Sequence, residues 1–179
     1  MQKENIARYA VTVLVVFLLT VIQTTLLRSA EIFGVIPNLL LSAVICYSLV
    51  KGEPKAIVFG LICGMLLDFF GGRNVGMNTL LCLYASLICV LLHDGLFNNN
   101  TFVAMLFVFL MTIGYELIIY FFNIFIWKQQ GFLYAFFLRV LPQAAYNAVA
   151  TIFMYPLTRW LAGDWQRQRK RKRYSRYLW

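Results

Sequence analysis

The most constraining feature of this sequence is an apolar segment that carries two glycines and one carboxylate at helical spacing. Gly60, Gly64 and Asp68 fall four residues apart, so they share one face of a helix. Glycines let a second helix come close, and a carboxylate in hydrocarbon is costly unless it meets a partner, water or a bundle interior. The pattern therefore predicts a membrane protein with a packed, partly polar interior.

The composition favours the same class of protein. Hydrophobic residues make up 61% of the 179 residues and charged residues 13%, whereas soluble domains are about 45–50% apolar and about 25% charged. A spanning helix needs about 20 apolar residues, so six segments with short loops use up this length. We expect no extramembrane domain that would house a soluble active site.

Six hydrophobic segments divide the chain, at about residues 6–27, 35–50, 55–70, 75–92, 101–127 and 132–161. The first is long for a signal peptide and is interpreted as a retained helix. The second and third are short for full spans, so they are either short tilted helices or a hairpin that does not quite cross. The expected fold class is all-α, a polytopic integral membrane helical bundle of about six transmembrane segments. Residues 1–162 form its single transmembrane domain, and residues 163–179 form a basic tail.

Lysine and arginine positions predict the topology. If the N-terminus is inside and the chain crosses six times, the outer loops hold Arg28, Arg73 and Lys128. The inner side then holds Lys3, Arg8, Lys51, Lys55 and the tail. This asymmetry follows the positive-inside rule, so we expect both termini to be cytoplasmic.

Polar side chains recur at four-residue spacing in the last two segments. The fifth segment carries Glu116, and the sixth carries Arg139, Gln143 and Asn147. Lipid does not tolerate such stripes, so they are expected to point inward. We hypothesise a buried ion pair between Glu116 and Arg139, or a buried polar network that both share with Gln143 and Asn147. The alternative is that each charge reaches the interface or pairs elsewhere.

Asp68 has three interpretations. It binds a proton or cation within the bundle, it caps a neighbouring segment or pairs with Arg73, or it contacts a partner helix. The sequence does not choose among them, although structural satisfaction is the commonest fate of such a carboxylate.

The tail directly follows the last segment and is strongly basic. Such a segment attracts anionic lipid, so a lipid-facing role is assigned to Arg167, Arg169, Lys170, Arg171, Lys172 and Arg173. Nucleic-acid binding is not expected, because no folded module accompanies the charge. A further alternative is that the tail only anchors the topology.

The sequence shows no catalytic or metal-binding pattern. It has no Ser/His/Asp set, metal-ligand spacing or phosphate loop, and the four cysteines form no C-x-x-C pair. We therefore expect a protein that is not an enzyme and that needs no cofactor or metal.

One family resemblance rests on motifs in the second to fourth segments. Pro37-Asn38-Leu39-Leu40, then Gly52, the Gly60-x-x-x-Gly64-x-x-x-Asp68 stripe, and Gly76 after a glycine-rich break occur in that order. In order and spacing they resemble the MreD family, bacterial rod shape-determining membrane proteins. Family members often have Asp where Asn38 stands, which puts a charge-based role at that position in doubt.

The resemblance implies a non-enzymatic membrane scaffold of the cell-wall elongation complex in the bacterial inner (plasma) membrane. Its expected partner is MreC-like, a bitopic protein with one membrane helix. Through the complex it would also meet MreB, the synthase RodA and its transpeptidase. Partner or bundle packing is assigned to Gly60, Gly64, Asp68 and Gly76.

A second function stays open at this stage. The MreD family is similar in architecture to the substrate-binding S components of ECF vitamin transporters. The alternative is therefore an ECF-type S component that binds a small molecule for transport, with a pocket lined by Glu116, Arg139, Gln143 and Asn147. A channel or proton-coupled permease is a third hypothesis, without a motif behind it.

Overall fold

The computed structural model describes residues 2–26, 35–71, 76–93, 100–127 and 136–162. Within these ranges the chain forms six α-helices: α1 Gln2–Val21, α2 Leu39–Lys51, α3 Pro54–Gly71, α4 Met77–Leu91, α5 Thr101–Trp127 and α6 Leu141–Ala162. Two π-helical turns, Ile22–Leu26 and Phe136–Val140, follow α1 and precede α6. The all-α prediction is confirmed for this part of the chain.

Local sequence explains where α2 ends and α3 begins. Gly52 follows α2 with a left-handed φ of 56°, and its N–H donates to the carbonyl of Ser48. A positive φ suits glycine, which has no Cβ. Pro54 then opens α3, because its missing N–H is not needed in the first turn of a helix.

α2 is the central helix of the bundle. It packs against each of the other five helices, and most of its residues from Leu40 to Val50 are buried. Its 13 residues extend about 20 Å, short of a hydrocarbon core of about 30 Å. The segment that looked short for a span is thus a helix surrounded by protein.

α5 has the length and hydropathy expected of a spanning helix. Its segment Thr101–Ile124 has 24 residues and a mean hydropathy of 2.3. Among the described residues, it is the one helix that is both long enough and apolar enough to cross a membrane. Shorter apolar helices cover Ala10–Thr25, Leu39–Lys51 and Met77–Leu91. The number of crossings and the side of each terminus stay predictions.

We call the two ends of the bundle the asparagine end and the lysine end. At the asparagine end, α2 begins after its cap Asn38, α3 finishes beyond Asp68, and α4 begins after Gly76. At the lysine end, α2 finishes at Lys51, α3 begins at Pro54, and α6 reaches its last residues.

Large apolar side chains cover the outside of the bundle. Phe69 is 83% exposed, Leu91 73%, Phe153 72% and Phe102 69%. Exposed apolar surface on this scale marks contact with membrane or protein, and it agrees with the membrane character that the sequence predicts.

Candidate functional site

The glycine face of α3 lies against α4. A Cβ on Gly64 would come within 2.5 Å of the Thr79 Cα and 2.8 Å of the Asn78 carbonyl oxygen. A Cβ on Gly60 would come within 2.6 Å of the Ser86 Oγ. Both glycines are buried, so they allow close approach of α3 and α4. This face is therefore occupied inside the bundle.

Asp68 lies one turn beyond Gly64 and caps α4 from the neighbouring helix. Its carboxylate accepts hydrogen bonds from the backbone N–H of Asn78 at 3.1 Å and of Thr79 at 2.9 Å. The Thr79 hydroxyl donates to the same carboxylate. The first N–H groups of a helix have no partner within it, and a negative charge there is favoured by the helix dipole. Of the three interpretations of Asp68, this geometry matches capping.

Gly76 differs from the packing role expected of it. A Cβ at this position would meet no atom of the described residues within 4 Å, but its φ is +92°. It is the N-cap residue of α4 and supplies no side-chain hydrogen bond. The glycine therefore provides a left-handed turn, and Asp68 provides the cap that Gly76 lacks.

A second group of polar residues joins α2 to α6 at the asparagine end. The Asn38 side chain accepts from Leu41 N–H at 3.0 Å and so caps its own helix. The Asn38 N–H donates to Asn147 Oδ1 at 2.8 Å, and the Asn147 amide donates to the Thr112 hydroxyl at 3.2 Å. Asn147 is fully buried. An amide at position 38 therefore supplies a cap acceptor without charge.

The same group reaches the π-helical turn that follows α1. Gln23 Oε1 accepts from the Leu40 N–H at 3.1 Å. Its Nε2 lies 3.4 Å from Asn38 Oδ1, at the long limit of a hydrogen bond. Gln23 thus satisfies a second free N–H in the first turn of α2.

The predicted network of Glu116, Arg139, Gln143 and Asn147 is divided in the structure. Gln143 Nε2 donates to Glu116 Oε1 at 2.6 Å, whereas Asn147 belongs to the group around Asn38. Arg139 is exposed on the π-helical turn. That turn precedes Pro142, which has no N–H for the helix ladder. The charge of Arg139 still acts on the Glu116 carboxylate, so the ion pair between Glu116 and Arg139 stays a prediction.

Two further contacts were not expected from the sequence. The Tyr115 hydroxyl donates to Asn78 Oδ1 and so joins α5 to the start of α4. His93 Nδ1 lies 2.6 Å from the Leu49 carbonyl oxygen in the last turn of α2, and its ring packs on Gly52. His93 therefore joins the end of α4 to the end of α2. The K-G-E-P sequence predicts the turn at Gly52. No local pattern predicts the contact between His93 and Leu49, which are 44 residues apart.

A groove lies at the lysine end between α1, α2, α3 and α6. Its volume is about 560 Å³. The lining is mostly apolar and includes Val13 and Phe17 of α1 and Val58 and Ile62 of α3. Two charged residues, Lys51 and Lys55, complete it together with Thr12, Val16, Tyr47, Phe59, Leu66, Leu161 and Ala162. We call this cavity the lysine-end groove.

The basic tail lies outside the described residues, so the lipid-facing role assigned to it stays a prediction. Arg28, Arg73 and Lys128, used for the topology, lie outside them too. Among the described residues, no group of three or more His, Cys, Asp or Glu side chains is placed to hold a metal ion.

Comparison with protein families gives one match over nearly the whole chain. The family model described as rod shape-determining protein MreD matches residues 4–163. Comparison with curated proteins gives no match, and neither does comparison with solved structures.

Proposed function

Because this chain belongs to the MreD family of rod shape-determining membrane proteins, we propose that it is a membrane scaffold of the cell-wall elongation complex. It binds the single membrane helix of an MreC-like partner and fixes the position of that helix. MreB, RodA and its transpeptidase are reached through the complex. Family membership supports the role in cell shape, and the outer surface of the bundle supports binding of a helix.

The observation that carries the scaffold proposal is an outward apolar row on α5. Exposed residues recur every four positions: Phe102, Leu106, Leu110, Gly114, Ile118 and Phe122. Positions four apart form a ridge that is inclined to the helix axis, so neighbouring members of the row share one face at a time. A second membrane helix that crosses α5 would contact neighbouring members of this apolar ridge.

Gly114 gives this row a notch. A Cβ there would meet no atom within 4 Å in the described part of the chain, so packing among those residues does not require glycine. Glycine within a helix costs about 1 kcal/mol relative to alanine. A small residue on an exposed face is what close approach of a second membrane helix needs. We infer that the partner helix crosses α5 at Gly114.

The interior of the bundle supports a scaffold better than a carrier. The polar groups that a carrier would offer to a ligand bond one another: Gln143 donates to Glu116, and Asn147 bonds both Asn38 and Thr112. A buried polar group that is already paired gains little from a ligand.

The test is crosslinked co-purification from the native membrane, followed by mass spectrometry. Wild-type protein should recover an MreC-like partner. Gly114→Leu fills the notch and should lower that recovery by about tenfold, equivalent to about 1.4 kcal/mol. Val149→Leu adds bulk to an exposed position of α6 and should leave recovery unchanged.

Two results would contradict the proposal. One is recovery of an ATPase and a transmembrane coupling subunit with the wild-type protein, which would make it a transporter component. The other is undiminished recovery of the partner with Gly114→Leu, which would remove the α5 row as the docking face.

A further inference from the structure

The lysine-end groove has the depth of one membrane leaflet. On α3 its lining runs from Lys55 through Val58 and Ile62 to Leu66. These positions follow helical spacing and cover about 16 Å of helix. A bilayer core is about 30 Å thick, so a chain that entered beside Lys55 would reach the midplane near Leu66.

The charge of the groove is positive and lies at one end. Lys51 is the last residue of α2, and Lys55 lies in the first turn of α3. The apolar side chains lie deeper along α1 and α3. Lysines bury their aliphatic stems against apolar surface and keep the ammonium at the interface. The groove therefore offers an apolar channel below two cationic groups, which complements an amphiphile with an anionic head.

The same charge argues against two other occupants. A bitopic helix carries Lys and Arg at its cytoplasmic flank, and these would meet Lys51 and Lys55 with like charge. The basic tail continues from Ala162, itself part of the lining, and would meet the same repulsion. A helix is also about 10 Å across, so a cavity of about 560 Å³ takes in little more than one turn of it.

We propose that the lysine-end groove binds one anionic phospholipid, with an acyl chain along α1 and α3 and the phosphate between Lys51 and Lys55. This binding site goes beyond the scaffold role and does not depend on it. Because the groove is lined by α1, α2, α3 and α6, the lipid would contact all four helices at this end.

The test uses full-length protein in nanodiscs that contain equal parts of phosphatidylglycerol and phosphatidylcholine, followed by native mass spectrometry. Wild-type protein should retain one phosphatidylglycerol in preference to phosphatidylcholine. The double variant Lys51→Gln, Lys55→Gln should lower that occupancy by about tenfold, since each lysine near the surface contributes to binding of anionic lipid. Val58→Trp should lower it by filling the channel while both lysines remain.

Matched variants separate this site from other sources of binding. Val149→Trp, on the outside of α6, should retain the lipid. A tail variant with Arg169, Lys170, Arg171, Lys172 and Arg173 changed to Gln should also retain it. Loss of the bound lipid in the tail variant, or its persistence in both the double variant and Val58→Trp, would overturn the proposal.

Photocrosslinking in the native membrane identifies the occupant directly. With benzoylphenylalanine in place of Val58, the expected adduct has the mass of a phospholipid with an anionic head. An adduct with a peptide of another protein, or with this protein's own tail, would overturn the assignment.

Discussion

The two ends of the bundle are held by different forces. At the asparagine end, side chains of one helix bond the backbone of the next: Asp68 caps α4, and Asn147 binds the N–H of Asn38. At the lysine end, His93 contacts the Leu49 carbonyl oxygen, and beside this contact lies a mostly apolar groove.

This difference follows from which helix termini are enclosed by protein. A first turn of a helix has free N–H groups, and leaving such groups unpaired in an apolar surrounding costs several kcal/mol each. The starts of α2 and α4 are packed against neighbouring helices, so side chains from those neighbours pair with them. The lysine end is predicted to face the headgroups, where water and lipid serve the same purpose.

The largest effect is expected where the glycine face meets backbone. Gly64→Leu would place its side chain onto the Cα of Thr79 and the carbonyl of Asn78, and a backbone cannot move aside as a flexible side chain does. Separation of α3 and α4 should lower the free energy of unfolding by about 3 kcal/mol or more. Thermal unfolding in detergent measures this, with Gly114→Leu as the control of equal bulk. Coincident unfolding curves for wild type and Gly64→Leu would contradict the tight α3–α4 contact.

Removal of the cap on α4 should have the next largest effect. Asp68→Ala leaves the N–H groups of Asn78 and Thr79 without their acceptor, which should cost about 2–3 kcal/mol. Asp68→Asn keeps one acceptor oxygen and should fall between alanine and wild type. The same unfolding assay measures both variants. Equal losses for the two would argue that charge alone, and not the cap, makes Asp68 stabilising.

Loss of the link between α2 and α6 should cost less. Asn147→Leu removes the acceptor of the Asn38 N–H and the donor to Thr112, and we expect a loss of about 1–2 kcal/mol. The control is Thr158→Val, because Thr158 is buried but bonds only Tyr155 of its own helix. If the control were as destabilising as Asn147→Leu, the contact between helices would contribute nothing specific.

The smallest effect is expected at the lysine end. His93→Ala removes the contact with the Leu49 carbonyl, and water at the predicted interface would partly replace it. The expected loss is about 1 kcal/mol, measured by unfolding beside the exposed-site variant Leu92→Ala. A loss as large as that of Asp68→Ala would mean that polar contacts stabilise both ends equally, which would contradict the difference between them.

Patterns local to one segment predicted much of this molecule. The fifth segment was expected at 101–127 and forms the helix Thr101–Trp127. The four-residue spacing of Gly60, Gly64 and Asp68 correctly predicted one shared face, since helix periodicity is a property of the chain itself. Capping of a neighbouring segment was among the alternatives for Asp68.

Contacts between distant segments could not be predicted in the same way. Asn38 and Asn147 are 109 residues apart, and no spacing rule relates them. Arg139 was expected on one helical stripe with Gln143 and Asn147, whereas it lies on the π-helical turn Phe136–Val140 before α6. Its charge still acts on Glu116, so the pairing of these two charges stays a prediction. Gly76 was expected to serve helix packing, as Gly60 and Gly64 do. Its positive φ explains the presence of glycine at this position instead.

The most direct test of the difference between the two ends is amide hydrogen exchange in nanodiscs, compared with and without anionic lipid. We expect slow exchange at Leu40, Leu41, Asn78 and Thr79 in either lipid, because side chains accept hydrogen bonds from these amides. Phosphatidylglycerol should slow exchange only around the lysine-end groove. Protection that is equal at the two ends, or that rises first at the asparagine end when anionic lipid is added, would contradict this expectation.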